Sequence, residues 1–390
     1  MRVLYVEAPV GFGGSLTGLL QLIHALPSRI EPILVTSFDP APYIDLPAGL
    51  VHRRVQVPDR TPSDGRWLRG AIRYYRQAVR PWRDAVQQLI CEFQPDLIHA
   101  NNCVTVNLGV GLAARAQSVP AISHQKGCEY PGRLTRLTVK RSGFTHHIAT
   151  SGAIARHLIA LGLPADRCTT IYEPVVGPTN CPDRDARRRD VPVAAMHSII
   201  GRWKGQHIVL QAAAEVLRRG RCDFRLEVAG APPGAETDYL DELRSMVSSL
   251  RLQDKVCFVG HQKDVYGFLA GADFAVHASL QPEPFGRVVA EAMLAGLPSI
   301  VTTEGGPAEY VAHGVTGLHV PCGDASAMAD AMAQLVASPE LRMRMGAAAR
   351  DYAVAEFDPG RLTQQVVDVY DRLLRGQRPA AAGESLVKGR

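Results

Sequence analysis

The 390 residues carry a net charge of +5, with 46% hydrophobic and 21% charged side chains. That length favours two domains over one, and the ordinary composition argues against a fibrous or disordered chain. No apolar run approaches the ~18 residues of a membrane-spanning helix, and the eight cysteines are scattered without a CxxC pair, which argues against a zinc site or disulfide framework and fits a reduced, cytosolic chain.

The chain starts on a strand-like run at 3–7 that lacks the apolar core and cleavage site of a secretory signal. Further strands read at 32–36, 96–100, 121–124, 147–150 and 169–172, with helical patterns at about 16–26, 66–93 and 153–161 between them. Residues 174–192 are rich in Pro, Asp and Arg without apolar periodicity and read as a linker. The alternation then restarts, with strands at 193–200, 224–229, 256–260, 274–278, 299–302 and 317–320. Such βαβ alternation predicts two doubly wound α/β domains, 1–173 and 193–358, with parallel sheets covered on both faces and a ligand cleft at the strand C-termini. A helical pattern at 359–375 is expected to pack back on the first domain, and 376–390 reads as a disordered tail.

Glu283 and Glu291 stand with seven residues between them in Pro282-Glu283-Pro284-Phe285-Gly286-Arg287-Val288-Val289-Ala290-Glu291. The apolar run after Gly286 reads as a helix, so Glu291 needs hydrogen-bond partners to be buried there. Glu283 lies in the loop that meets the helix N-terminus, a site that attracts phosphate. Two acids around such an N-terminus suit a ligand with a phosphate and hydroxyls on both sides of it, such as a nucleotide sugar. Helix capping alone accounts for Glu283 but not for Glu291.

Other candidates follow strand ends. Gly13 and Gly14, between the first strand and a helix, could approach an anion or serve only as a turn; they are neither a GxGxxG fingerprint nor a P-loop. Arg202 and Lys204, in Gly201-Arg202-Trp203-Lys204-Gly205, are cations suited to phosphate or a solvated basic turn. Gly305-Gly306 could approach a sugar or phosphate, and His124 could bond a sugar hydroxyl or be structural. Arg66, Arg69, Arg73, Arg76, Arg80 and Arg83 form one stripe on a helix, with Trp67, Tyr74, Tyr75 and Trp82 interleaved. That face suits either solvent or an anionic membrane, with Pro81 as an interruption. Asp183-Arg184-Asp185 in the linker looks like a metal-binding DxD but reads as solvated, and nothing marks a nucleic-acid partner.

The spaced glutamates, the Gly-Arg-Trp-Lys-Gly-Gln turn, Gly305-Gly306-Pro307-Ala308-Glu309 and Gly314-Val315-Thr316-Gly317-Leu318 together resemble the retaining GT-B glycosyltransferases of family 4. The first half is similar more loosely, through the glycine loop, Pro95-Asp96-Leu97-Ile98-His99 and Thr150-Ser151. The resemblance implies a GT-B fold, two Rossmann-like domains facing a cleft, and a nucleotide-diphosphate sugar donor, UDP-sugar favoured and GDP-sugar possible. It implies no required metal and a glycan, lipid-linked or small-molecule acceptor. Glu291 would hold the ribose, and Glu283 the donor sugar. Phe285 and Gly286 would offer backbone N–H groups, Arg202 and Lys204 would bind the diphosphate, and His124 would reach the transferred sugar. Gly260 and His261 would lie near the base, with Gly13, Gly14 and Arg287 completing the donor-binding set. Glu283, His124 and Lys204 would be the catalytic residues. Members of the family usually place the Arg further before the Lys, which favours Lys204 over Arg202 here. Their Asn-Gly at the hinge is Glu173-Pro174 in this chain. An epimerase or hydrolase of the same fold, or a non-catalytic nucleotide-sugar binder, are the rival readings. The expected location is the cytoplasm, at the inner membrane face if the arginine stripe binds lipid.

Overall fold

The computed structural model describes residues 1–7, 13–41, 44–55, 73–129, 132–178, 191–220, 223–232 and 238–376. Arg66, Trp67, Arg69, Asp183-Arg184-Asp185 and the tail from 377 lie outside the described residues. Two compact units emerge, one of Met1–Pro174 with the chain from Pro359, the other of Val175–Asp358.

The first unit holds seven parallel strands: β1 Arg2–Glu7, β2 Glu31–Thr36, β3 Val51–Arg54, β4 Leu97–Asn101, β5 Ala121–Gln125, β6 His146–Ala149 and β7 Cys168–Thr170, in the order β3-β2-β1-β4-β5-β6-β7. Central strands such as Val3-Leu4-Tyr5-Val6 are buried on both faces, so they appear as unbroken apolar runs. The strand absent from the sequence reading, β3, is Val-His-Arg-Arg and is largely exposed. Among the described residues it pairs with β2 alone, and its charges suit an edge. Leu4, Ile33, Trp82, Val86 and Ile98 belong to one core cluster. The helix Pro359–Leu374 joins this unit: Tyr370 is buried, and Asp371 pairs with both guanidinium nitrogens of Arg29 at 3.0 and 2.8 Å.

The second unit has six parallel strands: β8 Val193–His197, β9 Arg225–Ala229, β10 Val256–Gly260, β11 Phe274–Val276, β12 Ser299–Thr302 and β13 Gly317–Val320, in the order β10-β9-β8-β11-β12-β13. Met196, Val209, Phe224, Leu226 and Met332 fill one core cluster, and Ala195, Leu269, Ala292 and Leu297 another. In each sheet the chain begins centrally and winds outward first to one side, then to the other. The strand order therefore reverses at β1/β4 and at β8/β11, the places where open α/β sheets leave a crevice. β8 and β11 end at His197 and Val276, earlier than the sequence runs to 200 and 278 suggest. The residues freed from the strands form the loops of the crevice.

The arginine stripe is not continuous. Residues 75–79 form a π-type turn, Tyr75–Val79, ahead of the helix Arg80–Phe93. A π turn advances each residue by a smaller angle than an α turn, so Arg80 and Arg83 rotate off the line of Arg73 and Arg76. The wider turn also accommodates Pro81, which lacks an N–H and would crowd the carbonyl four residues back. Asp84 pairs with Arg83 at 2.7 Å and Arg80 at 3.5 Å, and Trp82 is buried in the core instead of facing outward.

Four histidines sit inside the first sheet. Burial pushes His99 and His147 down to about 3 and His146 down to about 4, and holds His124 well below the usual range. They are neutral when folded and take up protons on unfolding near their ordinary pKa of about 6.5. Stability from them is complete above that value and is lost as pH falls from it towards the folded values. Glu7 and Glu129, raised by burial, act in the opposite sense. Differential scanning calorimetry is expected to show the first unit melting at lower temperature as pH drops from about 7.5 to 5. An unchanged melting profile would contradict neutral burial.

Candidate active site

The loops after β8 and β11 bring Lys204 to Glu283. Gly205 makes this possible: its φ is +72°, and a Cβ there would stand 2.1 Å from the Ala278 carbonyl oxygen. The turn Arg202–Lys204 thus lies against the end of β11, and the Leu280 N–H donates to the Trp203 carbonyl at 2.7 Å. Lys204 Nζ then reaches Glu283 Oε2 at 2.6 Å and sits 3.9 Å from the Trp203 ring centroid. Ser279 Oγ donates to the same carboxylate oxygen at 3.1 Å, and His277 Nε2 lies 3.5 Å from it. Burial pushes the Glu283 carboxyl up, but Lys204 and His277 outweigh it and hold the group down at about 2. Glu283 is therefore an ionised carboxylate inside the protein, balanced by an ammonium.

Gly305-Gly306 explains the position of this loop. Gly306 N–H donates to the Glu283 carbonyl at 2.7 Å, and Gly305 forms an isolated bridge with Glu283. A Cβ on Gly306 would stand 2.5 Å from the Pro284 oxygen. The close approach expected of this pair is thus made to the chain's own loop.

Past Glu283, Phe285 is buried against Tyr310 and Phe357 at centroid distances of 5.6 and 5.5 Å. The Tyr310 hydroxyl lies 2.8 Å from the Phe285 carbonyl oxygen and 2.9 Å from that of Gly286, and its one hydrogen is shared between them. In planar trans peptides the next N–H points opposite to each carbonyl. The clamp therefore turns the Gly286 and Arg287 N–H groups away from Tyr310. Gly286, at φ +79°, precedes the helix Arg287–Leu294, which no side chain caps. A helix N-terminus of this kind attracts an anion through its dipole.

One turn into that helix, Glu291 is fixed from two sides. Arg287 Nε donates to Oε1 at 2.9 Å, and His197 Nε2, from the end of β8, lies 3.0 Å from Oε2. Burial again pushes the carboxyl up, and His197 with Arg287 more than reverses it. The apolar helix carries a carboxylate because these partners satisfy it.

Not every expected residue joins this group. Arg202 turns outward, pairs with Glu242 and lies 4.9 Å from the Tyr239 ring centroid, with its side chain 66% exposed. Gly260 and His261 are exposed at the end of β10, two strands from β8.

In the first unit, the polar cluster stands at the β1/β4 reversal. The Glu7 carboxylate accepts from Asn101 Nδ2, from Asn102 Nδ2 at 2.7 Å and from Ser15 Oγ at 2.8 Å. Gly13 and Gly14 start the helix that supplies Ser15. Lys126 Nζ and Glu173 Oε1 are buried 3.4 Å apart, so Glu173, at the end of the first unit, is an internal partner. His124 is buried, with Nδ1 3.0 Å from His99 Nε2. Sequence reading missed His197, His277, Ser279, Glu7, Asn101 and Asn102. Each lies at or just past the C-terminal end of a parallel strand, and that position was the available signal.

Comparisons with known proteins agree with this architecture. Residues 12–176 match the family model described as Glycosyltransferase Family 4, and residues 183–352 match the one described as Glycosyl transferases group 1. N-acetyl-alpha-D-glucosaminyl L-malate synthase of Bacillus anthracis is 33% identical over 170 residues, 44% of this chain and 42% of that protein. Glycogen synthase of Mycobacterium tuberculosis is 28% identical over 306 residues, 73% of this chain and 71% of that protein. The chain spans half or less of the length of several curated relatives that it matches, the first of these two among them. Among solved structures, HepE of Anabaena in complex with UDP-glucose has a TM-score of 0.76 and 22% identity, over 95% of this chain and 99% of that one. Sucrose-phosphate synthase from Thermosynechococcus elongatus has a TM-score of 0.79 and 22% identity, over 97% and 100%. These structural likenesses establish the fold, two Rossmann-like GT-B domains, and with the two family models they lead to one conclusion: the chain belongs to family 4 of the GT-B glycosyltransferases, the glycosyl transferases group 1.

Proposed function

We propose that this protein transfers a sugar, with retention of configuration, from a nucleotide-diphosphate sugar to a hydroxyl of a glycan, lipid-linked or small-molecule acceptor. The observation that carries the proposal is the arrangement of two largely buried carboxylates, each already paired with a cation, around a helix N-terminus without a side-chain cap at the β8/β11 reversal. Lys204 has three N–H donors and gives one to Glu283, so it can keep that bond and still meet a phosphate oxygen. With the N-terminus of the helix Arg287–Leu294, it would stabilise the charge gathering on the departing diphosphate. No metal is needed for that task. Glu283 holds hydroxyls of the donor sugar, and Glu291 accepts hydrogen bonds from the ribose.

The step balances without a further reactant. The acceptor hydroxyl attacks the anomeric carbon from the face that the diphosphate leaves. The new C–O bond forms as the sugar–phosphate bond breaks, and the hydroxyl proton passes to the leaving phosphate oxygen. HepE of Anabaena, of the same fold, was solved with UDP and with UDP-glucose, which supports uridine over guanosine as the base. Gly260 and His261 would then flank the base, two strands along the sheet. The reaction belongs in the cytoplasm. Contact with an anionic membrane would fall to Arg73 and Arg76, since Asp84 occupies Arg80 and Arg83.

A thermal-shift series with UDP, GDP, ADP, TDP and their sugars tests the donor: UDP and a UDP-sugar are expected to raise the melting temperature most. Donor consumption with and without acceptors tests the reaction. Consumption that never depends on an acceptor would replace transfer by epimerisation or hydrolysis, and binding without consumption would leave a binding protein.

Arg202 provides a smaller test. Its exposed pair with Glu242 lies away from Lys204, so Arg202→Ala is expected to lower turnover by less than about fivefold. Steady-state kinetics with the identified donor measures this, and a hundredfold loss (~10²) would return Arg202 to the diphosphate.

A further inference from the structure

Trp203 stands between Arg202 and Lys204 in a tight 3-10 turn, where consecutive side chains point in different directions. Arg202 faces outward to Glu242, and Lys204 faces inward to Glu283. The indole lies back over Gly201: a Cβ on that glycine would stand 3.3 Å from Trp203 Nε1 and 3.5 Å from Cδ1. The backbone beneath it is tied down. The Lys204 N–H donates to the Gly201 carbonyl at 2.8 Å, and the Leu280 N–H donates to the Trp203 carbonyl at 2.7 Å. Trp203 is 36% exposed, and the face of its ring carries the Lys204 ammonium 3.9 Å from the centroid.

A solitary exposed indole needs no explanation, but a buried cation on its face does. The ammonium has two partners among the described residues, the Glu283 carboxylate at 2.6 Å and this ring. They hold it in different ways. Glu283 accepts an N–H and cancels the charge, so the ion pair is neutral as a whole. The ring attracts the cation through the negative potential of its π face, adds no net charge and uses no acceptor atom. A second carboxylate in its place would leave the group net negative and repel a diphosphate. An aliphatic side chain would leave the flexible four-carbon stem of the lysine with one anchor instead of two. Indole is the best aromatic face for this task, and the attraction strengthens where the cation is out of water, as the largely buried Lys204 side chain is.

We infer that Trp203 is a positioning residue: its ring face holds the Lys204 ammonium beside Glu283 and leaves N–H groups of the lysine for the departing diphosphate. This assignment rests on the glycosyltransferase reading for the identity of the anion, but not for the contact. The site thus relies on one cation steadied by a neutral surface, while the charge of its neighbour Arg202 is taken up by Glu242. Loss of the ring should appear in kcat more than in KM, because the charge that Lys204 meets grows as the sugar–phosphate bond breaks.

Replacing one to four hydrogens of the Trp203 ring by fluorine weakens the negative face stepwise and leaves the outline of the ring nearly unchanged. In protein carrying this series at Trp203 alone, kcat with the nucleotide sugar selected by thermal shift is expected to fall with each fluorine, by about tenfold over the series, at a level melting temperature. A kcat that does not follow the fluorine count overturns the assignment, because packing alone does not distinguish these rings. Trp203→Leu is expected to lose about tenfold in kcat and Trp203→Phe less than that. Should the leucine variant fail to fold, the fluorinated series still decides. The contact itself is read without any donor, from the Lys204 Cε methylene signal of protein labelled with carbon-13 in lysine, identified by its loss in Lys204→Met. The ring current is expected to move that signal upfield of the other lysines in the wild type and to release it in Trp203→Leu. An unshifted wild-type signal overturns the contact and the role together. A shifted signal in a protein that turns over no nucleotide sugar would keep the contact and reject the glycosyltransferase reading, and with it the role of Trp203 in transfer.

Discussion

Replacing Lys204 by alanine is expected to cut turnover by about a hundredfold or more. The ammonium is 2.6 Å from Glu283 and lies in the turn that follows the central strand β8, where a leaving diphosphate would gather charge. Lys204 is also the cation that keeps Glu283 ionised while buried. Its loss alone leaves an uncompensated carboxylate inside the protein, a change that costs about 3–5 kcal/mol in comparable buried pairs. Lower activity could then reflect lower stability. The double variant Lys204→Met with Glu283→Gln separates the two effects, because it removes both charges together. It is expected to regain most of the melting temperature lost by Lys204→Ala and none of the turnover. Kinetics and thermal melts on the three proteins measure this, and near-normal transfer by Lys204→Ala would remove the residue from the reaction.

The two sheets are legible in the sequence because their strands are buried on both faces. Runs such as Ile33-Leu34-Val35 and Leu97-Ile98 carry their burial in their composition. β3 is not legible, since an edge strand of Val-His-Arg-Arg has neither an apolar run nor alternation. Glu291 is legible because a lone acid in an apolar helix requires partners, but the identity of its partner on β8 is not. His197 precedes Glu291 by 94 residues, and only the parallel order β8-β11 brings the two elements together. The same limit applies to His99 and Tyr370, whose contact depends on the last helix joining the first unit. The arginine stripe illustrates the opposite error. Spacings of three and four residues define one face only while the helix stays α, and the turn Tyr75–Val79 breaks that condition. Local pattern thus identifies elements and unusual residues, while the pairing of site residues follows from strand order.

Glu291 offers the second large effect, and one that tells binding from chemistry. Its two oxygens are held by Arg287 and His197, so the carboxylate has one fixed orientation and retains lone pairs for a ligand. If these accept from the ribose hydroxyls, the bond is made equally in the ground state and the transition state, and its loss appears in KM. Glu291→Gln keeps the shape and one acceptor oxygen but discards the charge. A charge-assisted hydrogen bond of about 1.5–3 kcal/mol corresponds to a KM for donor raised about 10–100-fold, with kcat little changed. The wild type is further expected to discriminate against a 2′-deoxy donor by a similar factor, and Glu291→Gln to discriminate hardly at all. Equal use of ribose and deoxyribose donors by the wild type would sever Glu291 from the ribose, whatever the variant does. A loss confined to kcat would place the carboxylate at the reacting sugar beside Glu283. The separation matters because the two glutamates share a helix terminus and a pairing pattern, a buried acid against a cation, so geometry alone makes them look equivalent. Their partners distinguish them. Lys204 is a compact ammonium with donors to spare for a phosphate, whereas Arg287 and His197 bind both oxygens of Glu291 and fix the carboxylate in place. A carboxylate fixed in that way suits recognition of a ligand that does not change during the reaction, and the ribose is the part of the donor that does not.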